Sequence, residues 1–189
     1  MVMKPEPLTA ALAEAKRKMP SATTLLMSPQ GKRFDQCLAQ SLASLEALIL
    51  VCGRYEGVDE RFIEQHVDAE VSIGDFVLTG GELGAMVVID AVVRLIPGVL
   101  GNAESAGSDT FSDGLVEHAH YTRPPVFGDD PVPDVLISGN HREIERWRRE
   151  TAFIRTILKR SDLLAQRNFS PQERAILEKW RRDIDRLIG

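Results

Sequence analysis

Residues 48–61 read LILVCGRYEGVDER. Ala47 to Cys52 is apolar almost throughout, too continuous for a strand with one wet face. It predicts a strand covered on both faces, as in a parallel sheet. At Gly53 the character changes at once: Gly53, Arg54, Tyr55, Glu56, Gly57, Asp59 and Glu60 crowd in directly behind it. In open α/β folds ligands sit at the carboxyl ends of the strands, and this is such an end.

Upstream, Thr23 to Met27 reads as a second strand, with SPQG at Ser28 to Gly31 as a turn after it. Helical periodicity flanks both strands, at Leu8–Met19 (stopped by Pro20) and at Phe34–Leu45. Downstream, Val58–His66 predicts a short helix, and Val71–Leu78 an irregular strand with loop. Strands alternating with helices argue an α/β fold. Leu83–Leu95 predicts a helix ended by Pro97, so apolar that it implies burial on more than one side, including against a partner subunit. Three polar, glycine-rich loops therefore follow strands: SPQG, CGRYEG, and Ser72 to Gly81. Together they suit a small organic cofactor whose ring and ribose the backbone can approach. Turn formation alone would also explain the glycines. Neither a dinucleotide fingerprint nor a triphosphate loop is present.

Beyond residue 97 the sequence divides. GNAESAGSDTFSDG is small and polar and predicts a mobile linker or lid. HYTRPPVFGDDPVPDV holds four prolines and predicts an extended, pinned segment. Asn140–Lys159 follows as a helix packed through Ile144, Trp147, Ile154, Ile157 and Leu158. Ser170, Pro171 and Glu173 form a capping-box signature, followed by a stripe of Ile176, Trp180, Ile184 and Leu187. The expected organisation is an α/β domain over 1–100, a flexible linker over 101–116 and a small helical domain over 117–189.

Charge follows the same division. Residues 1–110 carry 9 basic and 15 acidic side chains, whereas 141–189 carry 13 and 8. That local basic excess suits either a nucleic-acid partner or an ordinary solvated helix face. Cys37 and Cys52 lack metal-ligand spacing and suit either a reducing compartment or simple buried thiols. No stretch reads as a membrane span or secretory signal, so the expectation is a cytoplasmic protein with no membrane partner. The four histidines make a weak case for metal. Tyr121 and Arg123 suit either stacking on a nucleotide or anchoring the proline-rich turn. Three charged residues keep two readings each. Asp109 is a solvated carboxylate or a base that reaches a substrate; Arg94 is a helix-terminal charge or an anion holder; Glu56 is a local cap or a cation ligand.

The motifs SPQG, LILVCGRYEGVDER, SIGDFVLTGGEL, RLIPGVLG, ESAGSDTF, HYTRP and LISGNHREIERWR together resemble the bacterial tRNA (guanine-N1)-methyltransferases, the TrmD family of the knotted SPOUT superfamily. The resemblance covers essentially the whole chain. It implies an α/β domain with a deep trefoil knot, followed by a small, mainly helical C-terminal domain. It further implies a homodimer with a shared active site, bent S-adenosylmethionine in the knot, and tRNA guanine 37, preceded by a guanine, as substrate. Carried over by motif, Ser28, Pro29, Gln30, Gly53, Tyr55, Gly57, Ser72, Ile73, Gly74, Phe76, Leu78, Gly80 and Gly81 line the cofactor pocket. Asp109 is implied as general base for guanine N1, Arg94 as support for the guanine, and Glu56 as a carboxylate near the cofactor's methionine part and a Mg2+ ion. Arg142, Arg146, Arg148, Arg149 and Lys159 are implied as phosphate contacts.

Two departures stand out. Family members carry roughly fifty to sixty residues ahead of the point matching Met1, so a short form would expose a sheet edge. Gly84 stands where the family has proline, which loosens a helix start. Two alternatives follow: a form that binds cofactor or tRNA without turnover, and a related knotted methyltransferase acting on ribose 2′-OH or ribosomal RNA.

Overall fold

A computed structural model describes residues 1–99, 110–111, 114–165 and 167–188. The chain divides into two compact units, Met1–Ala106 and Gly107–Gly189.

In the first unit, α1 (Pro5–Lys18) leads into β1 (Thr23–Arg33), α2 (Gln36–Ala43), β2 (Leu48–Cys52), α3 (Glu60–His66), β3 (Ala69–Ser72) and α4 (Glu82–Val93). Pro5 opens α1, where its missing N–H costs nothing. Asp35 caps α2 by accepting from the Leu38 amide at 2.8 Å. The three strands form a parallel sheet in the order β2-β1-β3. Leu25 and Met27 of β1 join Val71, Ala39 and Leu42 of α2, and Ala85, Val88 and Val92 of α4 in one apolar core. Burying each larger side chain there stabilises the unit by about 1.5–3 kcal/mol. The alternate β1 residues Thr24 and Leu26 are buried as well, so both faces of this strand are covered.

The parallel sheet is as the sequence implies, but two local expectations are corrected. SPQG is not a turn that ends its strand. β1 runs on to Arg33, and both Met27 and Lys32 fall opposite Val71, so residues 28–31 bulge out and return to the same partner. Gly31 permits the return: a Cβ there would lie 2.4 Å from the backbone carbon of Glu70. The second correction concerns β2, whose five residues are half-buried rather than covered on both faces. Among the described strands it stands at the sheet edge, paired only with β1.

Helix α4 is apolar on two sides. Gly84, Ala85, Val88 and Val92 face the core, while Leu83, Met86, Val87, Ile89 and Val93 are exposed.

The second unit contains the hairpin strands β4 (Val126–Phe127) and β5 (Asp130–Pro131), the one-turn helix α5 (Asp134–Ile137), α6 (His141–Lys159), a 3-10 turn at Ser161–Leu164, and α7 (Pro171–Ile188). The proline-rich stretch before α5 is non-helical, as its composition dictates. Asn140 caps α6 through the Glu143 amide. Phe153, fully buried, meets Phe169 edge to face at 5.8 Å. Thr156, equally buried, donates to the Ala152 carbonyl and accepts from the Val116 amide at 3.0 Å. Phe111 and residues 115–117 are tied down beside it. The Phe111 amide donates to Leu115 O, Arg155 Nε donates to Glu117 O, and the Arg160 guanidinium lies 5.4 Å from the Phe111 ring centroid.

The capping box at α7 is complete: Ser170 N donates to Glu173 Oε2 at 2.8 Å, and Glu173 N donates to Ser170 Oγ at 3.2 Å. Arg167 adds a 2.7 Å bond to Glu173 Oε1, which leaves this glutamate only 3% exposed. Burial pushes the Glu173 carboxyl up, but the bonds from Arg167 and Ser170 outweigh it and hold the group below the ordinary glutamate value. The stripe behind the cap is not buried as expected. Ile176 is half-buried, Trp180 and Ile184 are exposed, and Leu187 is 87% exposed. On α6, Ile157 and Leu158 are also exposed, while Phe153 and Thr156 take the inner positions. Periodicity identifies an amphipathic face but not the layer that covers it.

Candidate active site

A cavity of about 500 Å³ opens at the carboxyl ends of the three parallel strands. The bulge of β1 supplies Ser28, Pro29 and Gln30; the loop after β2 supplies Gly53, Tyr55, Glu56 and Gly57; the loop after β3 supplies Ser72, Ile73, Gly74, Phe76, Leu78, Gly80 and Gly81. All thirteen residues proposed from sequence for the cofactor pocket, and Glu56 with them, thus line one space. They come together because parallel strands place their carboxyl ends at the same edge.

The walls are held mainly by backbone. Gly81 N donates to Gly53 O at 3.0 Å, and Arg54 bridges Gly80 in antiparallel fashion, so the loops after β2 and β3 are stitched to each other. Gly81 has no room for a side chain: a Cβ would lie 2.9 Å from Cys52 Cα and 3.0 Å from Met27 Cβ. Ser72 Oγ exchanges bonds with the carbonyl and amide of Gly74, which turns the chain sharply at the end of β3. Tyr55 adopts a positive φ of 61°, and its ring is 68% exposed. Phe76 and Leu78 are also exposed. The cavity thus offers an open aromatic and apolar lining among backbone donors and acceptors.

Several contributors are missing from the expected set. Arg54, Val58, Glu60, Glu70, Val77 and Thr79 also line the cavity. Arg54 Nε donates to Glu82 Oε1 at 2.8 Å, across the same two loops. The Glu82 carboxyl is held low first by its own backbone N–H and then by Arg54. Below them, burial and the nearby Glu82 push the Cys52 thiol up. The N-terminal residues form an outer brace: Met3 pairs with Val58, Met3 N donates to Gly57 O at 2.9 Å, and Glu56 N donates to Met1 O at 3.0 Å. Arg54 was legible within its motif. The brace was not, because nothing local in MVM signals a partner fifty-odd positions away.

Arg94 is not among the lining residues. It sits at the C-cap of α4, about 18 Å along the axis from Glu82 at the cavity end of that helix. Asp109 lies outside the described residues. Among the described residues, no three His, Cys, Asp or Glu side chains gather as a metal site.

The model of the tRNA (guanine-1)-methyltransferase TrmD family matches residues 1–166. This chain belongs to the tRNA (guanine-1)-methyltransferase family. A tRNA (guanine-N(1)-)-methyltransferase of Syntrophotalea carbinolica is 56% identical over 185 residues, covering 98% of this chain and 74% of the relative. The enzyme of the same name from Pseudomonas entomophila is 54% identical over 186 residues, with the same coverages. That from Pseudomonas fluorescens strain SBW25 is 56% identical over 181 residues, covering 95% of this chain and 72% of the relative. The chain therefore spans about three quarters of these family members, and the three-loop cavity falls within the matched part. No described helix is long and apolar enough to cross a membrane.

Proposed function

We propose that this chain transfers the methyl group of S-adenosylmethionine to N1 of guanine 37 in tRNAs with guanine at 36. The observation that carries the reading is the convergence of all three motif loops on one cavity, in a chain of this family.

The cavity suits the cofactor. Its size lies in the range of small-molecule sites, and its lining combines exposed rings with converging backbone polar groups. Tyr55, Phe76 and Leu78 would pack on the adenine and ribose. Backbone groups around Gly53 and Gly80 would read the ring edges, and Glu56 would face the ammonium end. When bound, S-adenosylmethionine supplies an electrophilic methyl group. The chain's task is to align donor and acceptor and to manage the acceptor's proton.

Guanine N1 carries a proton and is a poor nucleophile until it is removed. Asp109 is the proposed base, and Arg94 stabilises charge growing on the guanine oxygen. Since Arg94 stands at the far end of α4 from its own chain's cavity, the reading assigns it to the site of a second copy. The exposed apolar side of α4 supports such a homodimer. The Arg-rich helix α6 supports tRNA binding by the domain over 117–189, with the linker over 101–116 carrying the base. A knotted cofactor domain and a cytoplasmic setting complete the reading. Glu56 is the proposed ligand for Mg2+, but the described residues assemble no metal site around it, so no step is assigned to that ion.

The test is transfer of labelled methyl from S-adenosylmethionine to unmodified tRNA bearing guanines at 36 and 37, with and without magnesium, for the chain and its Asp109→Ala variant. Label at guanine N1, lost in the variant while cofactor binding persists, is the expected outcome. Label on a ribose would sink the target assignment, and an active variant would sink the base.

A further inference from the structure

The aromatic side chains of the helical unit gather at one surface point. His118, His120 and Tyr121 lie on the extended segment ahead of Pro124, and Trp147 lies on α6. Ring centroids are 4.5 Å apart for His118–His120, 6.4 Å for His118–Trp147 and 6.2 Å for Tyr121–Trp147. Trp147 and His118 are half-buried and form the floor. Tyr121 is 51% exposed, and the His120 side chain 62%. Core packing accounts for Trp147 but not for a tyrosine held against it with half its surface in water. Among the described residues, the Tyr121 hydroxyl makes no hydrogen bond that would explain its position.

The charges around the cluster are unbalanced. Glu117 is engaged with His120 at 3.5 Å and with Thr110; Glu150 with Arg146 at 3.1 Å and Lys179 at 3.3 Å; Glu143 with Arg146 at 3.9 Å. Arg123, two residues beyond Tyr121, and Arg148, beside Trp147, are exposed and have no ion pair among the described residues. Among the exposed charges close in sequence to Tyr121 and Trp147 that have no ion pair in the described residues, the guanidinium groups of Arg123 and Arg148 outnumber the one carboxylate, Glu145. Aromatic faces beside free guanidinium groups are the arrangement that holds single-stranded nucleic acid: the ring stacks on a base and the cation meets the backbone.

We propose that Tyr121, backed by Trp147 and flanked by the two histidines, is a stacking platform for one unpaired nucleobase of the RNA substrate. The proposal rests on the tRNA reading and adds to it a second point of contact, built from residues that are not among those lining the cofactor cavity. The occupant is a splayed base, because only an unpaired base can present its face to a protein ring. Stacking is tolerant of base identity, so the platform contributes affinity and register more than sequence choice.

The experiment compares the full chain with Tyr121→Phe, which keeps the ring face, and Tyr121→Leu, which removes it. Binding and steady-state methylation are measured on unmodified tRNA transcripts, intact or carrying one abasic position at a time in the anticodon loop. Tyr121→Leu is expected to weaken tRNA binding and raise KM about five- to hundredfold, with kcat, cofactor affinity and melting temperature unchanged. Tyr121→Phe is expected to behave as the parent. One abasic position should weaken the parent by the same factor and leave Tyr121→Leu unaffected, which a merely structural tyrosine would not produce. Parent-like tRNA affinity in Tyr121→Leu, or abasic penalties that all persist in that variant, would overturn the platform while leaving the proposed function intact. A parent chain that binds cofactor but no tRNA would overturn both.

Discussion

Helix α4 begins on Gly81 with no side chain closing its first turn, whereas α6 and α7 begin on Asn140 and Ser170, whose side chains do. A capping side chain at position 81 would need a Cβ, and that atom would press on the end of β2. The first unit therefore forgoes a cap worth about 1 kcal/mol so that backbone can approach backbone at the cavity. Glu82 compensates in part by accepting its own N–H and the Arg54 guanidinium. At the starts of α6 and α7, local side-chain bonds close the first turn instead. The start of α4 is shaped by what the chain must exclude, the starts of α6 and α7 by what their side chains can reach.

Three perturbations probe that contrast. The largest effect is expected from Gly31→Ala, whose new Cβ would collide with the backbone of β3. Destabilisation of the first unit by about 3 kcal/mol, with loss of cofactor binding, should appear in denaturant unfolding followed by cofactor titration. A cost under about 1 kcal/mol would show that the close approach yields, and the contrast would lose its basis.

Next is Glu173→Gln, which removes the carboxylate charge from both the cap and the Arg167 pair. We expect a loss of about 2 kcal/mol, confined to the unfolding transition of the helical unit. Because the folded Glu173 carboxyl is held below its ordinary value, its contribution is fully present above that ordinary value. It fades as pH falls through the depressed folded value. Stability of the parent should decline over that acid window, and the variant should lack this part of the decline. An identical acid profile would show that the capping box does not govern it.

The smallest effect is expected from Arg54→Met. Its pair with Glu82 is exposed, so cofactor affinity should change by less than about fivefold and melting hardly at all. A larger loss in calorimetric titration would show that side chains, not backbone, hold the cavity loops together.

The same contrast explains what the sequence made legible. The cavity lining could be read because close backbone approach leaves glycine behind, as at Gly81, and because polar residues collect after apolar strands. The capping box at Ser170 could be read because its partners are three positions apart. The course of SPQG could not: proline and glycine punctuate a strand, but whether the chain leaves it or returns depends on Val71, far along the sequence. Nor could the exposure of Trp180, Ile184 and Leu187, since an apolar stripe states its own chemistry and not its cover. Arg94 caps α4 at the end away from its own chain's cavity, a position that its motif alone does not state.

The parallel register carries a kinetic consequence. β1 is the central strand, and its partners are distant: Thr23 meets Leu48, and Leu25 meets Ala69. Neither pairing can close until a helical crossover has folded back, so loop-closure entropy opposes each before any contact rewards it. In the helical unit the caps that start α6 and α7 are local, between Asn140 and Glu143 and between Ser170 and Glu173, and these helices need no distant strand to form. Although the N-terminal unit leaves the ribosome first, its sheet is therefore the slower structure to assemble. Until β3 arrives, the β1 edge stands open to neighbouring nascent chains.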